Sequence, residues 1–295
     1  MPELPDLTVY AERLDAFAQG RRLERLRIGN PFVLRTVAPA PEDFAGRAFV
    51  GAGRIGKRLT LEFEGERFAV IHLMILGRLY WRKPGAVLPK GDGLAAFDFA
   101  QGSLLLIEHG SKRRAALHLV AGCDALRQFD RGGLELMSAS LQAFSAALTR
   151  TNHTLKRALT DPEVFSAVGN AYSDEILHRA RLSPFKQTRS LSSQEIARLY
   201  ESAQDVLHEW TSRLSAECKG RWPDKVTAFR PEMAVHGRYR MPCPDCGAPV
   251  QRIVYADNQA NYCARCQTEG RLLADRALSR LLKDNWPKNL DELEL

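Results

Sequence analysis

Hydrophobic positions near the start of the chain recur at helical spacing, at Leu4, Leu7, Tyr10, Leu14 and Phe17, and Gly20 follows where a helix would stop. A short amphipathic helix is predicted there. From Leu23 to about Val120 the period becomes that of strands. Thr60 to Phe63 alternates before a turn at Glu64-Gly65, Phe68 to Ile75 is an apolar run, and Phe97 to Ile107 flanks Gln101-Gly102. This pattern predicts a β-sandwich or barrel. After Arg131-Gly132-Gly133 the period turns helical, with helices expected near 140–150, 153–160, 174–182 and 193–217, the last opened by the capping pair Ser192 and Glu195. Strands followed by helices, rather than alternating with them, imply an α+β multidomain chain.

A third segment, from about His236 to Gln267, is short and rich in Cys, Pro and Gly, and Arg271 to Lys283 sets leucines at helical spacing among basic residues. The divisions expected are 1–133, a β-sandwich with its leading helix; 134–235, a helical domain; 236–267, a four-cysteine finger; and 268–295, a basic helical extension. Packing on the body is the expected role of that extension.

Composition narrows the class. Of 295 residues 45% are hydrophobic and 26% charged, and no apolar run reaches the roughly 18 to 20 residues that span a bilayer. Pro2, Glu3, Pro5 and Asp6 stand where a secretion signal would carry basic and then apolar residues, so residence in the cytoplasm is expected, at the nucleoid if the source is bacterial. A formal net charge of +7 is compatible with a polyanionic partner without requiring one.

Four of the six cysteines form two C-x-x-C pairs, Cys243/Cys246 and Cys263/Cys266, sixteen residues apart with Gly247 and apolar residues suited to a hairpin between them. Four thiolates on two tight turns suit one tetrahedral zinc ion in a closed structural site. A pair of redox dithiols is the alternative. No fourth position is left open, so the ion is expected to hold the fold. Cys123 and Cys218 read as ordinary thiols.

The start, Met1-Pro2-Glu3, carries a second signal. Removal of Met1 would expose a secondary amine at Pro2, and an α-amino group, with an ordinary pKa of about 7.7 to 8.0, is partly neutral and nucleophilic at physiological pH. Attack of such an amine on a sugar C1′ gives an iminium that is cationic without protonation, which is what β-elimination of a 3′-phosphate needs. Glu3 beside it is a candidate acid/base, and Lys57, in Arg54-Ile55-Gly56-Lys57-Arg58, a candidate proton donor or phosphate holder.

Together these segments resemble the formamidopyrimidine-DNA glycosylase and endonuclease VIII family, nearer its formamidopyrimidine branch. The likeness runs over about residues 2 to 267. It rests on the Pro2-Glu3-Leu4-Pro5 start, on Val168-Gly169-Asn170-Ala171-Tyr172-Ser173-Asp174-Glu175 followed by Ile176-Leu177-His178, and on Val235-His236-Gly237-Arg238 leading to the cysteines and Gln267.

The resemblance implies an N-terminal β-sandwich, a helix-two-turns-helix DNA-binding domain, a C-terminal zinc-ribbon finger and a monomer that holds damaged DNA between two lobes. It implies that Pro2 is the Schiff-base nucleophile, Glu3 the acid/base and Lys57 an essential cation. It further implies that His72, Lys156 and Asn170 face the DNA backbone and that Arg113 probes the opposite base. The activity implied is removal of damaged, by default oxidised, bases followed by strand cleavage.

Several positions depart from the family pattern. Asn258 stands where the finger usually carries an arginine, and an amide is no charged phosphate clamp. Ile75, beside Met74, takes the place of a void-filling Met, and Lys112-Arg113-Arg114 the place of Arg-Arg-Phe, so an apolar wedge is missing at Arg114. Asp6 and Thr8 replace two glutamates. Two other functions remain open at this point: a non-catalytic damage- or structure-specific DNA-binding protein on the same scaffold, and a zinc-ribbon module acting on RNA.

Overall fold

A computed structural model describes residues 1–110, 113–223, 226, 230–255, 258–274, 280–281 and 287–292. They form two compact units: Met1–Arg131 with Trp210–Thr227, and Gly132–Glu209 with Ala228–Leu295.

The first unit opens on α1 (Leu4–Ala18), with Pro5 in its first turn, where the missing N–H costs nothing. Two four-stranded antiparallel sheets follow. One runs β1 (Leu23–Ile28), β6 (Gly93–Phe99), β7 (Gly102–Glu108), β5 (Gly77–Arg82); the other β2 (Phe49–Ile55), β3 (Arg58–Phe63), β4 (Arg67–His72), β8 (Ala116–Ala121). Leu61, Phe63, Ile71 and Leu117 from one sheet and Phe97, Leu104 and Leu106 from the other pack into a single core with Leu7, Tyr10 and Leu14 of α1. This is the expected sandwich.

The apolar run from Phe68 lacks alternation because both faces of β4 are covered. Ala69 and Ile71 enter the core, while Phe68 and Val70 pack with Leu126 of α2 (Cys123–Arg127) and Phe129 just beyond it. The strand ends at His72, short of Ile75, and the chain turns over Leu73–Leu76 with Met74 at φ +54° and Gly77 N–H donating to the Leu73 carbonyl. Trp222 joins this unit from the far end of the sequence, its indole N–H donating to the Leu79 carbonyl at 2.8 Å and its ring 5.7 Å from that of Tyr10.

The second unit contains α3 (Leu141–Thr149), α4 (Leu155–Thr160), α5 (Asn170–Arg179) and the first part of α6 (Ser193–Cys218), whose residues from Trp210 belong to the first unit. Helix α5 starts four residues before the expected 174. Ala171 to His178 are all buried, the polar Ser173, Asp174, Glu175 and His178 along with the apolar residues, so no contrast between an apolar and a solvent-facing side marks where the helix begins.

A hairpin of β9 (Val250–Tyr255) and β10 (Asn258–Cys263) leads into α7 (Ala264–Thr268). Beyond it the expected helix does not begin at Arg271. Arg271 bridges Asn289, and Leu272 N–H donates to the Lys288 carbonyl at 2.8 Å while its side chain packs with Ile253 and Tyr262. Residues 275–279 and 282–283 of that prediction lie outside the described ones. No described helix is long and apolar enough to cross a membrane.

Candidate active site and metal centre

The amino-terminal site is built on α1 and on the second sheet. Glu3 caps α1 and is 3% exposed; its N–H donates to the Asp6 carboxylate at 2.9 Å, so the shorter acid at position 6 performs the capping. Thr8 turns its hydroxyl back onto the Leu4 carbonyl. Lys57 stands at the tip of the two-residue turn between β2 and β3, where Gly56 at φ +55° supplies the left-handed residue that such hairpins need.

The charges converge on the amino terminus. Its pKa is lowered from 8.0, mainly by burial; Glu3 and Asp6 oppose the shift, and the cations Arg78 and Lys57 reinforce it. Pro2, next in the chain, is buried. His72 is half-buried at the end of β4, and its pKa is pushed down to about 4 by burial and then by Arg58, Lys57, His118 and the amino terminus. In this unit, then, the amino terminus, Glu3, Lys57 and His72 share one electrostatic neighbourhood, with a lowered amine and a neutral imidazole in it. Sequence reasoning did not pick out Arg78, because a lone strand arginine carries no local signature.

Arg113 is exposed and 3.6 Å from Asp92, which also receives His109. Lys112 lies outside the described residues. The loop leading to β8 is pinned where the buried Glu108 carboxylate accepts N–H groups of both Arg114 and Ala115 at 2.9 Å. Arg114 is exposed and gives no apolar wedge, whereas Ile75 and Leu76 are 58% and 43% exposed on the turn after β4.

In the second unit Asn170 is the first residue of α5 and half-buried, with Gly169 as its cap. Lys156 departs from expectation. It is 2% exposed, and its ammonium donates to the Asn170 carbonyl, the Ser173 hydroxyl and Asp174 Oδ1, so all three N–H bonds are engaged inside the unit. A phosphate has none left to accept. Its position on the buried face of α4 explains this, and its contact places it beneath Asn170.

Asp174 Oδ2 in turn contacts His236 Nδ1 at 2.8 Å and accepts from Asn261 Nδ2 at 3.0 Å, while Glu175 accepts the backbone N–H groups of Ala234, Val235 and His236. These two acids were visible in the motif but carried no predicted role. Asn258 opens β10 opposite Tyr255; its side chain lies outside the described residues.

The four finger cysteines converge. Their ligand atoms lie within 4.8 Å of one another, with Cys243 and Cys266 Sγ 3.9 Å apart and Cys246 and Cys263 Sγ 3.4 Å apart. Thiolates about 2.3 Å from a shared zinc would be about 3.8 Å apart, so the set fits the ion. Burial pushes the Cys263 thiol up to about 12 and raises Cys266; at Cys246 burial opposes ionisation, but the Ala248 N–H and the adjacent thiols hold it below the ordinary thiol range. Such a cluster resists full ionisation unless a cation is present, as a metal site should. Gln267 braces it, accepting Cys263 N–H and donating to the Leu182 carbonyl.

The profile of the formamidopyrimidine-DNA glycosylase N-terminal domain matches residues 1–115, and that of the formamidopyrimidine-DNA glycosylase H2TH domain matches residues 135–215. A formamidopyrimidine-DNA glycosylase of Thermus thermophilus is 33% identical over 280 residues, covering 92% of this chain and 100% of the relative. The chain belongs to the formamidopyrimidine-DNA glycosylase family. Enzymes of this family are DNA glycosylases of base-excision repair with abasic-site lyase activity, and this chain is one of them.

An uncharacterised formamidopyrimidine-DNA glycosylase-like protein of Mycobacterium tuberculosis is 38% identical over 155 residues, 51% of this glycosylase and 94% of that protein. The crystal structure of the MutM (Fpg) protein from Thermus thermophilus superposes with a TM-score of 0.76 at 31% identity, over 91% of this chain and 100% of that one. Lactococcus lactis Fpg, solved with DNA containing an abasic site, shares the fold at a TM-score of 0.80 and 22% identity, over 90% of this chain and 99% of that one.

Proposed function

We propose that this glycosylase removes an oxidised base, formamidopyrimidines by default, and cuts the strand through a Schiff base on Pro2. Once Met1 is removed, the Pro2 nitrogen attacks C1′ as the bond to the base breaks, and the departing base takes a proton. Ring opening gives the iminium, with Glu3 moving the proton to the sugar oxygen. Loss of a C2′ proton then expels the 3′-phosphate, and Lys57 supplies charge or a proton to the leaving oxygen.

The observation that supports this most is the amino terminus held at a lowered pKa beside Glu3 and within reach of the Lys57 charge. His72 and Asn170 would take backbone phosphates, Arg113 the base opposite, and the exposed Ile75 and Leu76 would supply the apolar contact that Arg114 does not. The four cysteines would hold one structural zinc, and the enzyme would act as a monomer on damaged duplex.

The test is borohydride trapping on duplexes that each carry one defined lesion or an abasic site. Methionine-free protein should form a covalent adduct and Pro2→Gly should form almost none. Binding to abasic DNA with neither adduct nor cleavage would instead establish a non-catalytic damage-binding protein. Metal analysis should give one zinc per chain.

A further inference from the structure

Helix α5 reaches the metal centre itself. His178, in its last turn and 3% exposed, sets Nε2 3.3 Å from Cys243 Sγ and 3.9 Å from Asp245 Oδ2. Four thiolates around a divalent zinc leave the centre with a net charge of about −2, and Cys243 and Cys263 are buried, so that charge calls for N–H donors. Asp174, one turn earlier on the same face, already holds Asn261 of β10, the strand that ends at Cys263.

We propose that His178 Nε2–H donates a hydrogen bond to the Cys243 thiolate of the metal-loaded site, making it a positioning residue that ties retention of the ion to α5, the helix that begins with Asn170. A donor to a ligating sulfur lowers the energy of its lone pairs and fixes the orientation of the Cys243 side chain. Nothing in this depends on the DNA chemistry of the first unit.

The experiment uses the full chain loaded with zinc and compares His178→Phe, which fills the space without a donor, with His178→Asn, which keeps one. Zinc transfer to a chromophoric chelator should be about 10- to 100-fold faster for the Phe variant, and the Asn variant should lie closer to the parent. In the cobalt-substituted protein the sulfur-to-cobalt charge-transfer band should move to lower energy in the Phe variant, a change that loss of packing alone would not impose.

If the Phe variant fails to fold, the parent protein loaded with cadmium-113 decides the matter. Coupling across the hydrogen bond between cadmium and the Nε2 proton supports the assignment; absence of coupling overturns it, as does coupling that shows the ring nitrogen bonded directly to the metal. Unchanged release and an unchanged band in a folded Phe variant also overturn it.

Discussion

Asp174 Oδ1 and Lys156 Nζ lie 2.5 Å apart, and neither side chain is more than 2% exposed. Removing Lys156 leaves the buried Asp174 carboxylate without its ammonium, with His236 and Asn261 as remaining polar partners. Lys156→Met should therefore cost about 3 to 5 kcal/mol in chemical denaturation, and adding Asp174→Asn should recover a large part of it. A loss under about 1 kcal/mol would mean that the pair is solvated and that its place beneath Asn170 has no energetic content.

The charges around the amine should set the pH at which it acts. The Met1 amine is held low by burial and by Arg78 and Lys57; if the Pro2 amine meets the same charges once Met1 is gone, borohydride trapping should rise with pH and its midpoint should follow those charges. Arg78→Gln removes a cation that disfavours the ammonium, so its midpoint should move up; Asp6→Asn removes an opposing carboxylate and should move it down. Midpoints that ignore both changes would contradict the charge arrangement around the amine.

His72 makes stability depend on acid. Its pKa falls from 6.5 in an unfolded chain to about 4 in the fold, so the unfolded state binds a proton that the native state refuses. Its contribution is complete above pH 6.5 and is lost as pH falls toward 4. About 2 kcal/mol is expected once partial exposure is discounted. Denaturation of His72→Gln across that range should show the shallower slope.

Much of this architecture can be read from residue order, and the failures share a cause. The sandwich follows from period-two strands and the zinc site from cysteine spacing, both local signals. The family likeness sets Lys156 at the DNA backbone, and nothing local in the sequence says otherwise, because its buried partner Asp174 lies on another helix eighteen residues away. The start of α5 escapes sequence reasoning because the polar Ser173, Asp174 and Glu175 are buried along with their apolar neighbours, so polarity there does not report exposure. Arg78 and His178 act through contacts with residues at least 65 positions distant, which no local spacing encodes.

Asn258 offers a gain-of-function check. Asn258→Arg adds one cation to the finger hairpin, and if that hairpin meets the DNA backbone, affinity should rise at low salt and the slope of log K against log salt should steepen by about 0.9. Filter binding at several salt concentrations reads both. No change in slope would place the hairpin tip away from phosphate.

The Glu175 carboxylate accepts three consecutive main-chain N–H groups, those of Ala234, Val235 and His236. The anchor is therefore blind to the side chain at position 234, which is free to drift through evolution as long as its amide hydrogen survives. Proline alone among the twenty amino acids breaks that condition.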